Sequence, residues 1–100
     1  MVKYNKLVRD KIPEMLDKKN ISYVKRIATF VEYKKELIKK LQEEAKEFSV
    51  KGEAEELADV LEVIRALKKL PEYKNVEIVR KKKLKERGGF NKRIILKGQK

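Results

Sequence analysis

The chain has 100 residues, 44% of them charged and 41% hydrophobic, with a formal net charge of +12. That length makes one small domain, spanning residues 1–100, near the lower limit for a self-sufficient core. The absence of both cysteine and histidine excludes disulfide frameworks, thiolate or imidazole zinc sites, histidine general bases and the Glu-x-x-His di-iron pattern.

The opening MVKYNKLVRDKIP lacks the apolar stretch of a signal peptide, and no run is long enough for a membrane span, so the expected location is the cytoplasm, without a membrane partner. Residues 5–19 read as a helix with Pro13 as a boundary or kink, ended by Asn20. Residues 21–27 (ISYVKRI) are β-branched and aromatic enough for a short strand. Thr29-Phe30-Val31-Glu32 has the form of a capping box, which opens a long helix to about Val50. Lys51-Gly52 breaks it, and a second long helix runs from Glu53 to about Leu70, ahead of Pro71. Residues 71–75 form a loop, with Asn75 a fitting N-cap for a fourth helix over residues 76–87, stopped by Gly88-Gly89. The KRIILK segment in residues 92–97 reads as a second short strand, able to pair with residues 21–27. The expected fold is mainly all-α, a helical hairpin that completes a four-helix bundle by oligomerisation, with a small two-stranded sheet beside it. Tyr4 and Phe90 are expected to pack rather than to stack on a base.

The two long helices share an unusual arrangement. At 100° per residue, Leu37, Leu41, Glu44 and Phe48 form one stripe, with Glu47 on its border. Val60, Val63, Leu67 and Leu70 form the other, with Glu56 inside it and Asp59 on its border. Each helix therefore carries an inward acid followed three residues later by a flanking acid. A hydrophobic seam rarely holds acids unless a positive charge is held there too.

Charge is unevenly spread. Residues 43–62 hold eight acids and two bases, a balance of −6, while residues 74–100 hold eleven bases and two acids, a balance of +9. An acidic pocket beside a basic tail suits a metal ion plus a polyphosphate. Four carboxylates with no nitrogen or sulfur donor suit a hard cation, Mg²⁺ or Mn²⁺, which polarises a phosphoanhydride and activates water. One acid would serve as general base. Lys83 and Arg87, i and i+4 on the fourth helix, are candidates for phosphate binding, as are Lys6 and Arg9 near the N-terminus.

Two plainer readings compete. In a chain rich in Lys and Glu, E-x-x-E on a helix is commonly a solvated, ion-paired face. The +12 charge would also fit a non-enzymatic nucleic-acid-binding module, although an acidic hairpin at the centre repels phosphate backbones and makes nucleic acid a poor partner. A helical dimerisation domain without catalysis is the third reading.

LQEEAKEF followed by EELADVLEVI resembles the E-E-x-x-E … E-x-x-D signature of the MazG-like, all-α nucleoside triphosphate pyrophosphatases. The opening YNKLVRDKIP and the closing KERGGFNKRIIL resemble the small phosphoribosyl-ATP pyrophosphohydrolase-like branch of that superfamily. The resemblance runs from Tyr4 to Leu96 and implies a Mg²⁺-dependent hydrolase that cleaves nucleotides between the α- and β-phosphates. The products would be a monophosphate and pyrophosphate, and the active form a dimer or tetramer. It implies Glu44, Glu47, Glu56 and Asp59 as ligands and catalytic residues, Glu43 as no more than a support, and Lys83 and Arg87 in a basic K-x-x-x-R-G-G-F ending. The span between the acidic motifs, residues 48–55, is shorter than is common in that family. No aromatic pair or amide cluster marks a base-recognition site, so the nucleotide itself stays open.

Overall fold

The computed structural model describes residues 5–99; Tyr4, the first residue of the opening motif, lies outside them. The described chain is all-α. Its helices are α1 (Ile12–Lys18), α2 (Phe30–Lys51), α3 (Ala54–Lys68) and α4 (Val76–Arg87), with a 3₁₀ turn at Pro71–Tyr73 between α3 and α4.

Helix α1 is shorter than the expected span over residues 5–19 because Pro13 sits in its first turn. A proline there loses no helical hydrogen bond, but its ring would clash with the carbonyl four residues back if the helix extended further towards the N-terminus. Residues 5–9 therefore run outside any helix. Helix α2 begins at the expected cap, with the Glu32 backbone N–H donating to Thr29 Oγ1 at 3.2 Å. Only half of the capping box forms, since the Glu32 carboxylate pairs with Arg26 instead. Asn75 occupies the N-cap position of α4 without a side-chain cap bond.

No strand forms among the described residues, so the expected sheet from residues 21–27 and 92–97 is absent. A strand needs a ladder partner and a covered face. Here Val24 and Ile27 are almost fully exposed, as are Ile95 and Leu96. The first segment is held by side chains instead, through the Tyr23 hydroxyl donating to Asp17 at 2.7 Å and through Arg26 on Glu32. Phe90, expected to pack, is 97% exposed, because no helix follows Gly88-Gly89 to cover it.

The packing that does form is the α2–α3 hairpin. Leu37, Val63 and Leu70 are buried at its centre, and Leu7, Tyr33, Leu41, Ala66, Leu67 and Tyr73 pack around them. Leu7 fastens the N-terminal segment to the hairpin. Lys34 reaches the 3₁₀ turn, paired with Glu72 and lying 5.4 Å from the Tyr73 ring centroid. Helix α4 has no buried residue and meets α3 through one carboxylate. Glu77 accepts from Lys68 Nζ at 3.0 Å and from Arg80 at 2.9 Å. The molecule is accordingly drawn out, with a radius of gyration of 17.9 Å against roughly 13 Å for a compact chain of this length.

Two outcomes follow from these junctions. Gly52 ends α2 with φ 65° in the left-handed region, and an added Cβ would meet nothing within 4 Å. The cost of Gly52→Ala is then purely backbone, about 1 kcal/mol in denaturant unfolding, with Gly52→Asn less harmful. Arg80, and next Lys68, hold the Glu77 carboxyl down at about 2 from its ordinary 4.5. A lowered carboxyl stabilises the fold above its unfolded-state value and loses that effect as protonation sets in. Docking of α4, followed by amide exchange, should therefore loosen as pH falls from about 4.5 towards 2, and Glu77→Gln should abolish that dependence.

Candidate functional site

The seam carries its acids inward as the spacing predicts. Glu44 is 9% exposed and Glu56 7%, as buried as Val63 and Leu70, while Leu41, Phe48, Val60 and Leu67 are half-buried. Both acids belong to the hairpin interior because they fall on the same stripes as the leucines. The flanking acids behave differently: Asp59 is half-buried and Glu47 exposed.

Burial without a partner is costly for a carboxylate. Glu44 has a partial answer, with Lys40 Nζ 3.5 Å from its Oε1 and one helical turn earlier on α2. Glu56 has less: its Oε1 is buried and has no hydrogen-bond partner. An orphaned anionic oxygen, in a site whose acidic donors are all carboxylate oxygens, fits a hard divalent cation. Histidine and cysteine are absent from the whole chain, so softer ligands do not compete.

Glu43 and Asp59 are paired with cations, while Glu47 makes no ion pair among the described residues. Lys6 Nζ lies 3.3 Å from Glu43 Oε1, and Lys40 Nζ approaches the same oxygen at 3.8 Å. Arg9 Nη1 donates to Asp59 Oδ1 at 3.1 Å. The N-terminal segment, seated by Leu7, thus brings both of its candidate phosphate-binding residues to the acidic hairpin. No group of three acids among the described residues is gathered tightly enough to hold an ion.

Lys83 and Arg87 are placed otherwise. Both lie exposed on α4, and neither makes an ion pair with the four acids among the described residues. Within one chain the structure joins Lys6 and Arg9 to the acidic motifs and leaves the α4 pair apart. Sequence reasoning missed Lys40 and undervalued Glu43, where Lys6 and Lys40 meet. The spacing that signals them is visible in KKLQEE: a lysine placed three and four residues before two acids must lie over both.

The unpaired oxygen has a measurable cost. Glu56→Met should raise the unfolding free energy of the metal-free protein by about 1–3 kcal/mol, since an apolar side chain replaces a buried charge. An unchanged or lower value in denaturant titration would mean that the oxygen is already satisfied. Comparison with protein-family models, curated proteins and solved structures gave no match to this chain.

Proposed function

We propose that the chain is a cytoplasmic, Mg²⁺-dependent nucleotide pyrophosphohydrolase that hydrolyses the α–β phosphoanhydride of nucleoside triphosphates or related nucleotides. The observation that carries this reading is the pair of buried acids on the two packed helices, Glu44 and Glu56, one of them with an orphaned oxygen. The resemblance of the acidic motifs to the MazG-like pyrophosphatases supports it. So does the absence of a helix long and apolar enough to cross a membrane among the described residues.

Glu44, Glu47, Glu56 and Asp59 would hold Mg²⁺, or Mn²⁺ in its place. The ion, when bound, polarises the phosphoanhydride and lowers the pKa of a coordinated water. The protein residues do the rest. The buried pair supplies charge in a site partly screened from water, where electrostatic effects are stronger. One of the four carboxylates accepts the proton of the attacking water. Lys6 and Arg9, already beside the acidic motifs, take up negative charge on the departing pyrophosphate. Lys83 and Arg87 would join them only across a subunit contact.

Self-association belongs to the same reading. Ile38, Leu57, Leu61 and Ile64 leave apolar surface on the hairpin, between 38% and 59% exposed, and a second hairpin in a dimer or tetramer would cover it and complete a four-helix bundle. One observation favours a nucleic-acid-binding reading instead: Lys81, Lys82, Lys83, Lys85 and Arg87 are all exposed along α4.

The assay separates the two. Nucleoside triphosphates with Mg²⁺ should release pyrophosphate, and Glu56→Gln or Asp59→Asn should each lower kcat by about 10²-fold or more. Mg²⁺ should also raise the melting midpoint of the wild-type protein, because it binds the folded state. Wild-type rates in both variants would remove the four acids from catalysis. Salt-sensitive nucleic-acid binding, indifferent to those substitutions, would favour the second reading.

A further inference from the structure

An open pocket of about 240 Å³ lies between residues 5–7 and the middle of α2, lined by Asn5, Lys6, Leu7, Glu36, Lys39, Lys40 and Glu43. Three of its side chains are cationic and two anionic. Two of the three cations are engaged with acids of the first motif, Lys6 on Glu43 and Lys40 on Glu43 and Glu44. Lys39 makes no ion pair among the described residues. Neither Lys83 nor Arg87 lines the pocket.

We propose that this pocket is a phosphate seat. Lys6 and Lys40 neutralise Glu43 and Glu44 in the metal-free protein. They turn, together with Lys39, onto the terminal phosphates of a nucleotide or onto pyrophosphate once Glu44 and the other proposed ligands hold a divalent cation beside them. This rests on the reading proposed above and adds to it the residues that take the phosphates and the order in which they become free.

The charges decide the order. With three lysines against two glutamates, the pocket lining has a balance of only +1, too little to draw in a polyphosphate carrying several negative charges. Lys6 and Lys40 would be repelled by a dication held at Glu44 and the other proposed ligands, and would leave the oxygens they occupy. Lysine suits such an exchange, since its ammonium is a point charge on a flexible four-carbon stem and has no fixed geometry to lose. The pocket size is also reasonable, because a pyrophosphate with its water is far smaller than a typical drug-sized site of about 300–1,000 Å³. Lys40 is the decisive residue. At 18% side-chain exposure it is the most sheltered cation in these ion pairs, and it touches two of the three acids of the first motif, Glu43 and Glu44.

The exchange predicts effects of opposite sign, which a purely structural role would not produce. Binding of Mn²⁺ alone, followed by the loss of the free-ion electron paramagnetic resonance signal, should be about 3-fold tighter in Lys40→Met and in Lys6→Met, because a competing cation is gone. Binding of Mn²⁺-pyrophosphate, followed by calorimetry, should be about 10-fold weaker in both, the size of one lost charge-assisted contact. Lys40→Arg should stay near wild type in both titrations. Should Lys40→Met fail to fold by circular dichroism, Lys6→Met decides alone, since its pair is solvent-exposed. Wild-type Mn²⁺-pyrophosphate affinity in the variants, or parallel loss of both ligands, overturns the seat while leaving the enzymatic reading intact. No Mn²⁺ uptake by the wild-type protein overturns both.

Discussion

The constraint on which the molecule turns is the presence of carboxylates in a seam that also has to pack leucines. Glu44 and Glu56 occupy positions that an ordinary helical hairpin would fill with apolar side chains, and both are buried there. Placing anions in such a seam costs stability that the small core does little to offset, with Leu37, Val63 and Leu70 the only buried hydrophobic side chains among the described residues. A fold concerned only with stability would place these acids outside. Their retention inside is the physical basis for assigning the hairpin a charge-dependent task.

Around that seam the charges of the chain are sorted into answers of different kinds. Lys40 answers from the same helix, one turn away. Lys6 and Arg9 answer from a segment distant in sequence, which Leu7 anchors to the core. The largest block of positive charge, on α4 and the tail, makes no ion pair with the seam acids within one chain among the described residues. Net charge is therefore a poor guide to this protein. What matters is which cations the fold delivers to the acids, and these are mainly on the N-terminal segment rather than in the more basic C-terminal third.

Much of the fold was legible because helical periodicity and caps are local. Thr29, Gly52 and Gly88 mark helix ends, and the stripes through Leu37 and Val63 identify the buried faces together with the acids within them. Pro13 was legible as a boundary, but its effect on the residues before it was underestimated. The segments at residues 21–27 and 92–97 misled for a different reason. Their β-branched residues express only a preference, and a strand exists when another backbone completes its hydrogen bonds. The acid positions were readable from angle alone. The pairing of Lys40 with Glu43 and Glu44 is likewise local, but that of Lys6 with Glu43 needed the N-terminal segment in place, and Leu7, Lys6 and Arg9 hold it by contacts far apart in sequence, for which there is no local signal.

The link at Gly52 carries a further meaning. Only residues 52 and 53 separate α2 from α3, so the second helix has almost no rotational slack relative to the first. Its angular phase is constrained by so short a turn, and a residue inserted within α3 ahead of Glu56 would shift the side chains after it by about 100°. The inward aim of Glu56 is thus a property of connector length as much as of the motif that contains it. A chain with the same acids and a longer joint would lose that constraint and need other contacts to fix the phase of its second helix.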